Sequence, residues 1–137
     1  MPTIDDLLAA ARKNLDRVPP ADIEAEIARG AVLVDIRPEA QRTDTGTPPG
    51  ALIIERNVLE WRLDPASDAR IPEAVDHDVR WIILCQQGYA SSLAAATLRD
   101  IGLHRATDVI GGWDAWRALD DPPDTARSAG FDGRSLG

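Results

Sequence analysis

The sequence predicts an α/β domain in which helices cover both faces of a mostly parallel sheet. Short apolar runs alternate with helical segments along the chain, an order typical of parallel sheets joined by crossover helices. The run over residues 81–85 is apolar without alternation, as is usual for strands buried on both faces. A chain of 137 residues, 44% of them apolar, suits one domain with one core.

The first half of the chain is predicted to contain two helices and two strands. In order, these are helices over residues 4–13 and 21–29, a strand over 31–35, a loop over 42–50 and a strand over 51–54. Asp5 and Asp6 stand in the first turn of the first helix, where the helix dipole favours acidic side chains. The second helix opens after two prolines and ends at Gly30. Because the segment 42–50 is rich in Thr, Gly and Pro, we expect a loop there.

The second half repeats the alternation of strand and helix. In order, we expect a helical turn over residues 57–62, a strand over 81–85, a loop over 86–90, a helix over 91–100, a strand over 106–110, a helix over 113–119 and a mobile tail over 121–137. Ser91 is the expected N-cap of the alanine-rich helix, and Gly102 lies past its end. Trp113 and Trp116 are three residues apart, so they share one helix face and are expected in the core.

Composition limits the function classes. The formal net charge of −8 argues against a nucleic-acid partner. Cys85 is the single cysteine, so an intramolecular disulfide is excluded, and a free thiol fits a reducing compartment. The N-terminus lacks the basic start and apolar run of a secretory signal, and the run over 81–85 is too short to span a bilayer. A cytoplasmic protein without a membrane partner is expected.

Cys85 ends the clearest strand, at the edge of the sheet where ligands of open α/β folds bind. A short loop after it curls around the sulfur, with Gly88 permitting a turn that is closed to other residues. Backbone N–H groups then converge on the sulfur, and the next helix begins at the same point. These effects predict a lowered thiol pKa. The alternative is a buried structural cysteine, which is common.

Four segments resemble the rhodanese family. The active-site loop of that family consists of a cysteine, two residues, a glycine and then a Ser or Thr that opens a helix. The segment that begins with Cys85 and continues through Gly88 to two serines resembles this loop. The other three segments, in family order, are Val34-Asp35-Ile36-Arg37, Gly46-Thr47-Pro48-Pro49-Gly50-Ala51 with Thr47 in place of the family's histidine, and Gly111-Gly112-Trp113-Asp114-Ala115-Trp116. The resemblance implies a doubly wound α/β domain with about five parallel strands, here over residues 17–120, preceded by an N-terminal helix in residues 1–16.

The same resemblance implies sulfur transfer in two half-reactions. Cys85 takes sulfur from a small donor, thiosulfate or a persulfide, and passes it to a thiol or to cyanide; a protein is a further candidate acceptor. The substrate-binding residues are then those of the loop: Gln86, Gln87, Gly88, Tyr89, Ala90 and Ser91. Ser91 is expected to cap its helix and also to donate a hydrogen bond to the sulfur. No cofactor and no metal are implied.

The loop of this chain differs from that of many rhodaneses in its charge. Many active rhodaneses carry arginine five residues after the cysteine, where this chain has Ala90. Arg56, near the end of a strand, is the candidate replacement cation for a dianionic donor, whereas Arg62 is expected at the surface. Asp35 and Arg37 are expected to form a structural ion pair near the loop. The two histidines show no metal-ligand spacing and are expected at the surface.

Two other functions compete with sulfur transfer. A phosphatase or arsenate reductase needs a longer loop closed by arginine around a tetrahedral oxyanion, and the sixth residue after the cysteine is Ser91. A non-enzymatic rhodanese-like module for binding or regulation usually lacks the cysteine, which is present here. Between enzyme and module lies a sulfur carrier, which accepts sulfur from a partner protein and turns over little free thiosulfate.

Overall fold

The apolar runs of the sequence form four parallel strands in the computed structural model, which describes residues 1–120. The strands are β1 (Val32–Asp35), β2 (Leu52–Ile53), β3 (Trp81–Leu84) and β4 (Thr107–Asp108). The helices are α1 (Ile4–Arg12), α2 (Ile23–Ala28), α3 (Glu39–Thr45), α4 (Leu59–Leu63), α5 (Ala90–Asp100) and α6 (Gly112–Arg117). Short 3₁₀ turns at Pro20–Asp22 and Arg56–Val58 precede α2 and α4. The predicted tail over 121–137 lies outside the described residues.

The sheet has the strand order β2-β1-β3-β4, with every neighbouring pair parallel. About five strands were predicted, and four are present in residues 1–120. A single parallel bridge between Val18 and Val109 extends the pairing beyond the fourth strand. The chain runs from β1 to β2 and then crosses back to place β3 on the other side of β1. The direction of winding therefore reverses between β1 and β3, the point where open α/β sheets bind their ligands.

Both faces of the sheet are buried, as predicted. Trp81 and Ile83 of β3 belong to one apolar cluster, and Ile82 and Leu84 belong to the other. Successive strand residues point to opposite faces, so β3 contributes to two cores at once. All four of these side chains are fully buried. This burial explains why the strand has no polar alternation.

Helix α3 corrects the sequence prediction, which placed a loop over residues 42–50. The helix ends only at Thr45, and Gly46 follows it with φ +86°. The segment has a low helix propensity, and tertiary contacts hold its last residue in place. Arg37 Nη1 donates to Thr45 Oγ1 at 2.9 Å, and Trp113 Nε1 donates to the Thr45 carbonyl at 2.8 Å. These contacts come from segments outside the helix, so the local composition could not reveal them.

Helix α1 packs along α5. Its start is fixed by a capping box, in which Thr3 Oγ1 accepts from Asp6 N–H and Asp6 accepts from Thr3 N–H. Arg12 is its last residue and faces α5. No helix within the described part of the chain is long and apolar enough to cross a bilayer.

Candidate active site

Cys85 lies directly after β3, and the next residues wrap around its sulfur. Gly88 N–H donates to Cys85 Sγ at 3.2 Å, and Ser91 N–H donates to the same atom at 3.3 Å. The cysteine is only 1% exposed. Two backbone dipoles therefore point at one buried sulfur atom, as the sequence predicted for this loop.

The loop depends on glycine at position 88 for two reasons. Gly88 has φ +86°, a conformation that side chains disfavour. A Cβ atom there would lie 2.9 Å from Gly111 N and 3.1 Å from Val109 O, so the turn after β4 leaves no room for it. At Gly112 a Cβ would lie 2.5 Å from the Cys85 carbonyl oxygen. The cysteine loop thus sits directly on the Gly111–Gly112 backbone.

The first turn of α6 anchors the other side of the loop. Trp113 N–H donates to the Cys85 carbonyl at 2.9 Å, and Asp114 N–H donates to the Gln86 carbonyl at 3.0 Å. Free N–H groups at a helix start are the natural partners of such carbonyls. Trp113 and Trp116 pack edge to face, with ring centroids 5.3 Å apart, which confirms their predicted packing role.

The predicted fall in the Cys85 pKa is wrong. Burial raises the pKa of the Cys85 thiol above its ordinary value, and the carboxylate of Asp108 raises it further. Hydrogen bonding by Ser91 and by the Gly88 N–H acts in the opposite direction. The sequence argument counted the N–H groups and the helix start, but it could not count the lost hydration of the sulfur or a carboxylate from a distant strand.

Ser91 takes a different place from the one predicted. It is the second residue of α5, and Tyr89 is the residue at the N-cap position, so Ser91 does not cap the helix. Its hydroxyl donates to Asp108 Oδ2 at 2.7 Å. A hydroxyl has one proton, so the hydrogen bond from Ser91 to the sulfur comes from its backbone N–H instead.

Asp108 is a buried centre of the site that the sequence analysis missed. Its side chain has no exposure, and it accepts from Ser91 and Ser92 Oγ, both at 2.7 Å. Arg17 adds a two-point ion pair, with Nε 2.8 Å from Oδ1 and Nη2 3.2 Å from Oδ2. A buried carboxylate is stable when it is paired and hydrogen-bonded in this way. Arg17 and Asp108 are 91 residues apart, and no local pattern joins them.

Arg12 is a second omission of the sequence analysis. Its Nη2 donates to the Gly88 carbonyl at 2.6 Å, and its Nε donates to Ser92 Oγ at 2.9 Å. Its Cζ lies 5.7 Å from the centre of the Tyr89 ring. Arg17 Nη2 reaches the same Gly88 carbonyl at 3.1 Å. Two guanidinium groups from the N-terminal segment therefore hold the cysteine loop from outside.

The expected Asp35–Arg37 ion pair is present and buried. Arg37 Nη2 lies 2.8 Å from Asp35 Oδ2, and both side chains have no exposure. Arg37 also donates to Gln86 Oε1 at 2.8 Å, and Gln86 Nε2 donates to Asp114 at 2.7 Å. Gln86 was expected to bind substrate, but its side chain is committed to these partners and is 1% exposed. It ties the loop to β1 and α6.

Among the other predicted loop residues, Tyr89 is 44% exposed and Ala90 is the first residue of α5. Gln87 Oε1 is buried without a hydrogen-bond partner within residues 1–120.

Arg56 is not brought to the loop: its guanidinium pairs with Glu60 at 2.8 Å, four residues along the chain. Arg56 follows β2, an edge strand that lies on the far side of β1 from β3.

The two histidines and Arg62 lie at the surface, as expected. His104 Nε2 is 2.6 Å from Asp78 Oδ1, both side chains being exposed, and Arg62 donates to the Ala69 carbonyl. His77 is exposed as well. Within residues 1–120 no three His, Cys, Asp or Glu side chains are grouped so as to hold a metal ion.

Comparison with known proteins identifies the fold and relatives of this chain. The model of the rhodanese-like domain matches residues 19–119. A protein of Pseudomonas savastanoi named thiosulfate sulfurtransferase GlpE is 33% identical over 102 residues, which cover 74% of this chain and 87% of that protein.

Two solved structures have the same fold. A protein of unknown function from Rhodopseudomonas palustris, described as a possible tyrosine phosphatase, superposes with a TM-score of 0.78 at 31% identity, covering 90% of this chain and 96% of the other. A human single-domain sulfurtransferase superposes with a TM-score of 0.61 at 26% identity, covering 78% of this chain and 97% of the other.

Proposed function

This chain belongs to the rhodanese-like domain family, and we propose that it is a sulfurtransferase whose nucleophile is Cys85. The class of activity agrees with the sequence prediction and with the name of the Pseudomonas relative. The observation that carries the proposal is the convergence of the Gly88 and Ser91 N–H groups on Cys85 Sγ. This arrangement suits a sulfur atom that alternates between thiol and persulfide.

In the first half-reaction, Cys85 Sγ attacks the outer sulfur of thiosulfate. A new S–S bond forms, and the S–S bond of thiosulfate breaks. Its electron pair leaves with the sulfite group, and the thiol proton leaves with it as hydrogen sulfite. The product is a persulfide anion on Cys85, and the loop N–H groups stabilise its charge as they would any developing anion.

In the second half-reaction, a nucleophile attacks the outer sulfur of the persulfide. Cyanide gives thiocyanate, and a thiolate gives a new persulfide; in both cases Cys85 is released as the thiolate. Covalent catalysis of this kind divides one difficult transfer into two easier steps. No electron acceptor is needed, because the sulfane sulfur keeps its oxidation state throughout.

A phosphatase activity fits the site less well, although one solved relative is described as a possible tyrosine phosphatase. The loop over residues 85–91 carries no cationic side chain, and position 91 is serine. The buried carboxylate of Asp108 lies against Ser91, where it repels a phosphate dianion. Two arginines contact the loop, but both donate to the Gly88 carbonyl.

The physiological donor, the acceptor and the location belong to the proposal as well. Thiosulfate or a persulfide donates, a small thiol or a protein thiol accepts, and the single free cysteine suits the reducing cytoplasm. The domain extends over residues 17–120, with residues 1–16 as an N-terminal addition. The lack of a loop cation at Ala90 favours a carrier that turns over thiosulfate slowly.

Intact-mass spectrometry after incubation with thiosulfate tests the proposal. We expect one added sulfur atom on the wild-type chain, lost after cyanide treatment and absent from the Cys85→Ser variant. If thiosulfate adds nothing, the same test with glutathione persulfide distinguishes a carrier of another donor from a protein without sulfur transfer. Failure of both donors, together with hydrolysis of p-nitrophenyl phosphate, would replace sulfur transfer with phosphatase chemistry.

A further inference from the structure

The N-terminal segment is hydrogen-bonded to the cysteine loop at the carbonyl group of Gly88. It accepts from Arg12 Nη2 at 2.6 Å and from Arg17 Nη2 at 3.1 Å. Both donors are cationic, and charge-assisted hydrogen bonds are the strong ones. The orientation of the peptide group between Gly88 and Tyr89 is therefore set by side chains that lie outside the loop.

This orientation determines where the Tyr89 N–H points. The peptide bond is trans, so its N–H points opposite to its C=O. Because the Gly88 carbonyl faces the two arginines, the Tyr89 N–H faces away from them. Within residues 1–120 the Tyr89 N–H donates to no acceptor. The N–H groups on either side, those of Gly88 and Ser91, already bind Cys85 Sγ.

We propose that Arg12, with Arg17, is a positioning residue of the persulfide site: it holds the Gly88–Tyr89 peptide so that the Tyr89 N–H donates to the outer, anionic sulfur of the Cys85 persulfide. This inference rests on the proposed sulfurtransferase function. The two guanidinium groups also polarise the peptide through its carbonyl, which strengthens the N–H as a donor. They act through the backbone and do not touch the substrate.

The balance of charge assigns the larger role to Arg12. Arg17 forms a two-point ion pair with Asp108, so its charge is largely compensated. Arg12 donates only to the neutral acceptors Ser92 Oγ and the Gly88 carbonyl, and it lies over the Tyr89 ring. Among the described residues, Arg12 therefore contacts the loop as a cation that forms no ion pair of its own.

Arg12 and Arg17 both lie just before the part of the chain that matches the family model. The match to the rhodanese-like domain covers residues 19–119, and both arginines precede it. Helix α1 brings Arg12 to the loop by packing along α5, 76 residues away from Gly88 in sequence. Two residues that precede this match thus contact the cysteine loop.

The test compares Arg12→Ala and Arg12→Lys with the wild type, and uses Lys13→Ala as the matched control. Lys13 is the next residue, it is exposed, and its side chain makes no contact with the loop in the described structure. Each chain is loaded with glutathione persulfide, and the half-life of the Cys85 persulfide is followed by intact mass. The second readout needs no donor: the pH at which iodoacetamide alkylation of Cys85 reaches half its limiting rate.

We expect the Arg12→Ala persulfide to decay about tenfold faster, as for the loss of a charged hydrogen bond. We also expect its alkylation midpoint to move to higher pH, because a nearby cation stabilises the thiolate. The charged groups around the loop that remain are Arg17, Asp108, Asp35, Arg37 and Asp114. Arg12→Lys should restore part of the persulfide half-life and part of the alkylation midpoint. Lys13→Ala should match the wild type within about twofold in both readouts, because the loss of an exposed charge has little effect.

Three results would overturn the inference. One is an Arg12→Ala chain that matches the wild type in both readouts. Another is a Lys13→Ala chain as impaired as Arg12→Ala, which would attribute the effect to overall charge. The third is an Arg12→Lys chain no better than Arg12→Ala. If instead the wild type takes no sulfur from any donor, the proposed function fails, and the alkylation midpoint still reports whether Arg12 acts on Cys85.

Discussion

Arg37 donates to Gln86 Oε1 at 2.8 Å, and this buried hydrogen bond joins the end of the first strand to the residue after the nucleophile. The same guanidinium pairs with Asp35 and donates to Thr45 Oγ1 and to the Gly46 carbonyl. Through Gln86 the network continues to Asp114 of α6. One arginine therefore connects the two loops that meet at the reversal point of the sheet.

Replacing Arg37 with alanine should destabilise the protein by about 3–5 kcal/mol, because Asp35 would remain as a buried carboxylate without its cation. Sulfur loading of Cys85 should fall as well, since Gln86 loses one of its two anchors. Urea unfolding measures the first effect, and intact mass after thiosulfate measures the second. The control is Arg56→Ala, which removes a partly exposed pair with Glu60 and should change stability by less than about 1 kcal/mol. Equal effects of the two substitutions would contradict the structural role of Arg37.

Gly88→Ala should abolish sulfur loading and lower stability. The substitution adds strain at φ +86° and places a Cβ 2.9 Å from Gly111 N. Gly30→Ala is the matched control, because Gly30 has φ +103° but no atom within 4 Å of the added Cβ. We expect that control to lose roughly 1 kcal/mol of stability from backbone strain and to keep full sulfur loading. A Gly88→Ala chain that loads sulfur normally would show that the tight fit against the Gly111–Gly112 turn is dispensable.

The raised pKa of the Cys85 thiol predicts a loss of stability at alkaline pH. The folded chain holds the thiol proton more tightly than the unfolded chain does. This contribution is therefore fully present below the unfolded pKa, about 8.5, and is lost as the pH rises through the folded value. Urea unfolding between pH 7 and pH 10, taken as the difference between the wild type and Cys85→Ala, should show this decline. If the two stability curves stay parallel, the thiol pKa is not raised by folding.

The substitution Ala90→Arg tests whether thiosulfate binds weakly because the cysteine loop has no cationic side chain. The side chain at position 90 starts α5, five residues after the nucleophile. If thiosulfate is held weakly for want of charge, the substitution should lower its KM by about fivefold, near 1 kcal/mol of charge-assisted binding, with little change in kcat. Steady-state kinetics with cyanide as acceptor provide the measurement. An unchanged KM would show that charge at this position does not limit donor binding.

Much of the fold followed from local patterns. The apolar run at 81–85 became the central strand β3, and glycines stand after α2 and α5, as predicted. Helix α3 and the true start of α5 did not follow, because both depend on partners elsewhere. Thr45 is held by Arg37 and Trp113, and Ser91 is drawn to Asp108 instead of capping its helix.

The sequence by itself determined the class of fold, the nucleophile at the end of a buried strand and the glycine turn that directs N–H groups at its sulfur. These features lie within a few residues of one another, so backbone geometry and burial pattern are enough to reveal them. Only the tertiary structure decided the electrostatics of the site. Cys85 is buried beside the carboxylate of Asp108, and the guanidinium groups of Arg12 and Arg17 reach the site from 71 to 91 residues away in the sequence. Charge acts through space rather than along the chain.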